Sequence, residues 1–245
     1  MKKKILIFIP AYNVQKQILR VLNRIPLEIF DNNIINIIII EDCSTDSTKQ
    51  VIKEYLKTCE YKSHIKLIEN EKNYRYGGVQ KIAFKYAIDN KFDYTIMLHG
   101  DDQYDPGILP KFIEEISTTK VDAVFGSRFI NPKDPLKGGM PLNRYIGNRA
   151  VTFVQNIIVG TKMTEFHSGY RCYKVDGLKK INFKKNTNDF YFDSEIIIQM
   201  SKLNLIIKEI PIATIYADEV SNLKPISYGI NVLISTIKHK IFYKD

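Results

Sequence analysis

Tyr94-Thr95-Ile96-Met97-Leu98-His99-Gly100-Asp101-Asp102-Gln103 passes directly from an apolar run into a knot of carboxylates and amides. A short continuous apolar run is what a strand buried on both faces requires. The same design recurs on both sides of it. Residues 5–9 are apolar and end at Pro10-Ala11-Tyr12-Asn13, and residues 34–40, isoleucine throughout but for Asn36, end at Glu41-Asp42. Residues 65–68 and 123–126 read as further strands. Apolar spacing at Ile18, Leu19, Leu22 and Ile25 predicts a helix, and helices are also expected near 47–57, 79–90 and 108–117. Strand–helix alternation of this kind predicts a mostly parallel sheet with helices on both faces. Ligands of such sheets gather at the carboxyl ends of the strands. Here those ends carry the most polar residues of otherwise apolar segments.

The second half is less regular. Residues 131–140 form a Pro-, Gly- and Lys-rich loop, a candidate lid. Ile146, Ala150, Phe153, Val154 and Ile157 predict a helix over 143–159, and another is expected over 190–202. Strands at 206–210 and 212–216 are interrupted by Pro211. Residues 226–243 are amphipathic and include the basic run Lys238-His239-Lys240. There is no internal repeat and no evident linker. The expectation is one α/β domain over 1–225, with C-terminal helix and strand elaboration and a basic amphipathic tail over 226–245.

Composition narrows the class. Of the 245 residues 44% are hydrophobic and 26% charged, which suits a globular chain and excludes disorder. The net charge of +9 favours anionic partners such as a nucleotide or an anionic membrane surface. Nucleic acid has only this charge in its favour and is not expected. Cys43, Cys59 and Cys172 are odd in number and form no CxxC pair, so neither a disulfide framework nor a zinc site is expected. The start, Met1-Lys2-Lys3-Lys4 and an apolar run, mimics a secretion signal, but the run stops at Pro10 without a small-residue cleavage site. No apolar stretch approaches the ~20 residues needed to span a bilayer. A cytoplasmic chain, at most peripheral to the inner membrane face, is expected.

Several constellations can carry chemistry, each with a plainer account. Asp101, Asp102, Gln103 and Asp105 offer hard oxygen ligands, suited to Mg²⁺ or Mn²⁺ bound together with phosphates. They also suit an Asp-rich turn capping the helix after Pro106. Glu41 and Asp42 can accept hydrogen bonds from a base or ribose, while Asp46 or Ser47 caps a helix. Arg75 and Gly78 lie in a loop, Asn73-Tyr74-Arg75-Tyr76-Gly77-Gly78, whose N–H groups can meet a phosphate. It matches neither GxGxxG nor GxxxxGK[ST]. Arg128 follows a strand in Gly126-Ser127-Arg128, and Arg171 closes His167-Ser168-Gly169-Tyr170-Arg171. Two arginines can clamp a diphosphate or an acceptor phosphate. Asp193 and Glu195 open a helix, where they suit the dipole or can act on a sugar hydroxyl.

Taken in order, Pro10-Ala11-Tyr12-Asn13, Glu41-Asp42-x-Ser44-Thr45-Asp46, Gly100-Asp101-x-Gln103, Gly126-Ser127-Arg128 and Ser168-Gly169-Tyr170-Arg171 resemble the family 2 glycosyltransferases of GT-A fold. The likeness is greatest to the branch that makes dolichyl- or polyprenyl-phosphate mannose and glucose. It spans about residues 4–220. The resemblance implies a nucleotide pocket at Pro10, Tyr12, Asn13 and Asp42, and donor phosphate and metal at Asp101 and Gln103. It implies that Arg128 and Arg171 face phosphates or acceptor, that Asp193 and Glu195 line the sugar or acceptor side, and that transfer inverts the anomeric carbon. One departure stands out: the branch carries Asp-x-Asp-x-Gln, and His99 occupies the place of the first Asp. The metal then keeps one carboxylate, Asp101, unless Asp102 or Asp105 substitutes, which bears on metal dependence.

The expected function is transfer of a sugar from a nucleoside-diphosphate sugar to a polyprenyl phosphate. A phosphate acceptor needs cations more than a base, and Arg128, Arg171, Lys133 and Lys137 supply them. A glycan hydroxyl acceptor would need a base, for which Asp193 is the candidate. A non-catalytic nucleotide-binding module remains open. A nucleotidyltransferase would need a Gly-rich basic loop after the first strand, where Pro10-Ala11-Tyr12-Asn13 stands instead.

Overall fold

The computed structural model describes residues 2–213 and 225–242. Its strands are β1 (Lys4–Ala11), β2 (Ile34–Glu41), β3 (Ile65–Glu69), β4 (Tyr94–Met97), β5 (Ala123–Ser127), β6 (Arg171–Lys174) and β7 (Ile207–Pro211). They form one seven-stranded sheet in the order β3-β2-β1-β4-β6-β5-β7. The longer helices are α1 (Ile18–Asn23), α2 (Thr48–Thr58), α3 (Arg75–Asp89), α4 (Leu109–Thr118), α5 (Leu142–Val159), α6 (Phe192–Lys202) and α7 (Pro225–Phe242).

β1 explains the apolar runs. Its Ile5, Ile7 and Ile9 join a core with α1, α2 and α4, while Leu6 and Phe8 join a second core with α3 and α6. Both faces of β1 are therefore dry, and each fully buried large apolar side chain contributes roughly 1.5–3 kcal/mol. The pairings β1–β2, β2–β3, β1–β4 and β5–β7 are parallel. Strand order reverses around β1, so β1 and β4 flank the switch point where α/β sheets hold ligands.

Three differences from the sequence reading matter. First, β6 was not foreseen: it inserts antiparallel between β4 and β5. Its sequence, Arg-Cys-Tyr-Lys, opens on a charged residue and has no apolar run. Second, α3 starts at Arg75 rather than near Val79, so Gly77 and Gly78 lie inside its first turns, packed against residues 187–192. The loop expected there is one turn of helix shorter. Third, β7 ends at Pro211, and Ile212 and Ala213 are not strand; the rest of the expected 212–216 strand lies outside the described residues. The lid loop 131–140 carries a short helix, Asp134–Lys137. α7 packs on α5 and α6. Among the described residues no helix is long and apolar enough to cross a membrane.

Candidate functional site

The carboxyl ends of β1, β2 and β4 converge. Gly100 makes this possible: a Cβ there would stand 2.6 Å from the carbonyl oxygen of Pro10. The chain leaving β4 thus lies directly on the end of β1. Asp101 follows, with one carboxylate oxygen accepting the Gln103 N–H at 3.2 Å and the other 3.9 Å from His99 Nδ1. Burial works to raise the Asp101 pKa, but His99 and the Gln103 N–H outweigh it and hold the carboxyl below its usual value. Asp101 is therefore an anion at neutral pH, and about a third of its side chain is exposed.

The neighbouring carboxylates are occupied. Asp102, with φ 64°, turns away to Arg20 Nε at 2.8 Å and Arg24 Nη1 at 2.9 Å. Asp105 pairs with Arg24 and accepts the Gly107 N–H at 3.0 Å, capping the turn after it. Asp102, one of the oxygen donors offered by the sequence, here ties the turn to Arg20 of α1 and to Arg24 just beyond it. His99 is wedged edge-on against Tyr104 and beside Tyr76, with ring centroids at 5.0 and 5.9 Å. A Cβ on Gly169 would collide with His99 Nε2, so the backbone of residue 169 seals that edge of the imidazole.

At the ends of β1 and β2 the carboxylates hold the loops by accepting from backbone N–H groups and from Asn70. Glu41 accepts the Ser44 N–H at 2.6 Å. Asp42 accepts from Asn70 Nδ2 at 2.7 Å and from the N–H groups of Tyr74 and Arg75, both at 2.9 Å. Both residues are buried beneath the loops they hold. Asn13, at φ 54°, accepts the Thr45 N–H at 2.9 Å, and the Asn13 N–H donates to Ser44 Oγ. Tyr12 is left 47% exposed, free to meet a planar ring. Asp46 caps α2 by accepting the Thr48 N–H at 2.9 Å. Arg75 pairs with Asp189 at 2.8 Å. Gly78, expected in a phosphate loop, is enclosed within α3.

On the β5 side, Arg128 is held by Glu165. The carboxylate accepts the Arg128 backbone N–H at 2.9 Å and Nε at 2.8 Å, is bonded also to Nη2, and accepts Asn148 Nδ2 at 3.1 Å. Burial would raise the Glu165 pKa, and the adjoining guanidinium more than cancels this, leaving it lowered. Glu209 on β7 fixes the segment by accepting the N–H groups of Thr164 and Glu165. Where residues 134–138 approach the end of β7, Arg128, Lys137, Pro211 and Ile212 border a cleft of about 370 Å³. His167, close by, is driven down to about 4 by burial, with Arg128 and Arg171 adding to the effect against Glu165.

Arg171 and Glu195 both have protein partners. Arg171 belongs to the interior. Its side chain is fully buried, donating to the carbonyls of Ser168, Phe166 and Asp193 at 2.8, 2.7 and 3.1 Å, with its guanidinium over the Phe125 ring. Ser168 is buried with it. Glu195 points to the far side of α6, accepting the Thr187 N–H at 2.7 Å and the Ser235 hydroxyl at 3.1 Å. Burial raises its pKa. Asp193, two residues before Glu195 and so on the opposite face of α6, accepts Tyr76 OH at 2.7 Å and Gln80 Nε2 at 3.0 Å, and lies 3.8 Å from Arg171. It links Tyr76, beside His99, to the buried arginine.

Sequence reasoning missed Glu165, Glu209, Tyr76 and Gln80. Glu165 and Arg128 are 37 residues apart, and nothing local pairs them. Among the described residues no three His, Cys, Asp or Glu side chains converge on one point.

The profile of Glycosyl transferase family 2 matches residues 6–181. The chain belongs to glycosyl transferase family 2. It is a glycosyltransferase, and its sheet is of the GT-A type. Among its relatives is the UDP-N-acetylglucosamine–dolichyl-phosphate N-acetylglucosaminyltransferase of Methanococcus voltae, 30% identical over 99% of this chain and 94% of the relative. Another is the undecaprenyl-phosphate mannosyltransferase of Micrococcus luteus, 23% identical over 85% and 82%. Glucosyl-3-phosphoglycerate synthase of Mycobacterium tuberculosis in complex with UDP superposes with a TM-score of 0.70 at 14% identity, covering 99% of this glycosyltransferase and 82% of that chain. The same enzyme in complex with Mn²⁺, UDP and phosphoglyceric acid also gives 0.70, at 13% identity over 99% and 80%.

Proposed function

We propose that this glycosyltransferase moves a sugar, with inversion, from a nucleoside-diphosphate sugar to a polyprenyl phosphate at a membrane surface. The observation that carries the acceptor is an apolar stripe on α5. Leu142, Ile146, Phe153 and Ile157 are 62%, 58%, 66% and 67% exposed. At 100° per residue they fall within about 60° of one another on the helix. A surface stripe of this size needs a partner. Arg149 shares that face, and Lys133, Lys137 and Leu136 are exposed on the adjoining loop. Apolar side chains bordered by cations suit an anionic bilayer. The stripe is tied to the β5 end of the site, because Asn148 of α5 bonds Glu165, which holds Arg128. The two relatives named for dolichyl and undecaprenyl phosphate support the same acceptor class.

The donor half rests on the β1/β4 cleft. Tyr12 meets the base, and Asn13, Glu41 and Asp42 shape the pocket beneath it, with Pro10 at its edge. The donor set fits a divalent cation of the kind that shares its coordination with phosphates: one free carboxylate at Asp101, the Gln103 amide and the His99 imidazole. Asp101, Gln103 and His99 would hold Mg²⁺ or Mn²⁺, which neutralises charge on the departing diphosphate. An acceptor phosphate oxygen attacks the anomeric carbon as the bond to the diphosphate oxygen breaks, and the diphosphate leaves with the electron pair. The attacking oxygen is already anionic, so no base is needed. Arg128 and Lys137, at the 370 Å³ cleft, orient the acceptor phosphate. Asp193, buried against Tyr76 and Gln80, positions this wall rather than taking a proton.

A thermal-shift screen of UDP-, GDP- and dTDP-sugars with and without Mn²⁺ tests the donor half. One nucleotide should raise the Tm, and Asp101→Ala should abolish the metal-dependent part. For the acceptor half, Phe153→Asp with Ile157→Asp should release the protein from phosphatidylglycerol vesicles while leaving nucleotide binding intact. Unchanged vesicle binding would sink the membrane reading.

A further inference from the structure

The residue that separates this chain from the Asp-x-Asp-x-Gln pattern has an assignable consequence, resting on the nucleotide-sugar reading above. We infer that His99 is a nitrogen ligand that turns the cation site toward a transition-metal ion and away from Mg²⁺. Three observations carry this. The imidazole edge bearing Nδ1 faces Asp101 Oδ2 at 3.9 Å. That is too long for a hydrogen bond. It falls inside the roughly 4.2 Å that two metal–ligand bonds of about 2.1 Å span end to end. The ring is also held in that orientation. Tyr104 packs on it edge-on, Tyr76 stands beside it, and the backbone of Gly169 closes the Nε2 edge, whose nitrogen is buried without a hydrogen-bond partner. Nδ1 is therefore the nitrogen presented toward the carboxylate. Finally, the other carboxylates of the turn, which could have completed an all-oxygen site beside Asp101 and Gln103, are paired elsewhere: Asp102 with Arg20 and Arg24, and Asp105 with Arg24 and the Gly107 N–H.

Mg²⁺ demands oxygen ligands and parts with water reluctantly. Replacing one oxygen by imidazole costs Mg²⁺ a ligand it prefers, while first-row transition ions gain along the series from Mn²⁺ to Co²⁺ and beyond. His99 is thus a specificity-determining residue for the cation. Tyr76 is a positioning residue for it, its hydroxyl fixed by Asp193 at 2.7 Å.

The test uses the full chain with UDP, GDP or dTDP, whichever binds, and Mn²⁺ as probe. Electron spin-echo modulation of the bound Mn²⁺ should show nitrogen-14 coupling from an imidazole in the native protein and none in His99→Asp. In competition, Mg²⁺ should displace Mn²⁺ from the native protein only at about a hundredfold excess or more, and His99→Asp should narrow this ratio about tenfold. His99→Asn provides a second variant should the aspartate prevent folding, and the native spectrum alone already decides. Bound nucleotide and Mn²⁺ without nitrogen coupling, with Mg²⁺ competing equally in native and variant, overturns the inference and leaves the donor reading standing. Binding of no nucleotide at all overturns both.

Discussion

Glu165→Gln removes one charge from the most enclosed ion pair on the β5 side. The Glu165 side chain is fully inaccessible and that of Arg128 12% exposed, so water cannot replace the lost partner. The native carboxylate satisfies the Arg128 backbone N–H, two guanidinium nitrogens and Asn148 Nδ2. Glutamine keeps one acceptor oxygen and turns an NH₂ toward donors. Removing one partner of a buried pair costs about 3–5 kcal/mol. We place this variant near 3, because the amide oxygen retains part of the network. For a chain of this length, about 2–4 °C of Tm accompany each kcal/mol, so the Tm should fall by about 6–12 °C. The pH dependence gives a second reading. The folded-state pKa of Glu165 is lowered from 4.5, so its stabilisation is complete above pH 4.5 and is lost as pH falls through the depressed value. The difference between native and variant, followed by circular dichroism, should be constant near neutrality and shrink below pH 4.5. A loss under about 1 kcal/mol, the size of an exposed pair, would refute the reasoning. So would a difference that grows in acid.

Other expectations follow from the same contacts. Arg171→Lys leaves carbonyl acceptors of Ser168, Phe166 and Asp193 without their guanidinium donors and should cost about 3 kcal/mol in urea denaturation. His167 has a folded-state pKa of about 4 against 6.5, so the folded state gains by keeping it neutral. That gain is complete above pH 6.5 and disappears as pH falls toward 4. Native protein should lose on the order of 2 kcal/mol relative to His167→Gln across that window, read from paired melts. Asp193→Asn should lower stability by weakening the hold on Tyr76 and Arg171, yet only reduce transfer to a phosphate acceptor; complete loss of kcat with an intact melt would restore Asp193 as a catalytic base.

The sheet was legible wherever both faces of a strand are dry. Residues 5–9 are buried on both faces, and in 34–40 only the exposed Ile34 and the half-buried Asn36 break the pattern, so these apolar runs announce β1 and β2 directly. β6 was hidden because its first residue is an arginine buried among carbonyls, a charge that local sequence assigns to solvent. Asp101 stands out in the sequence because it follows an apolar run within a family pattern, and the structure adds its contacts with His99 and the Gln103 N–H. The partners of Arg171 and Glu195 were not legible: sequence gives the residue type at a strand or helix end but not the side on which long side chains find partners. Glu165, beside Arg128, illustrates the same limit, since the pair exists only once β5 and the segment before β6 are side by side. The apolar periodicity of α5 was visible from sequence, but only the structure turns it outward.

Transfer onto a phosphate is measured by incubating the protein with Mn²⁺, the radiolabelled sugar nucleotide selected by thermal shift, and a short-chain polyprenyl phosphate in phosphatidylglycerol vesicles. The expected outcome is an organic-soluble product that releases the sugar in mild acid, together with free nucleoside diphosphate in equal amount. Nucleoside diphosphate release and labelling of a glycan hydroxyl acceptor, with no label in the lipid phosphate, would contradict it.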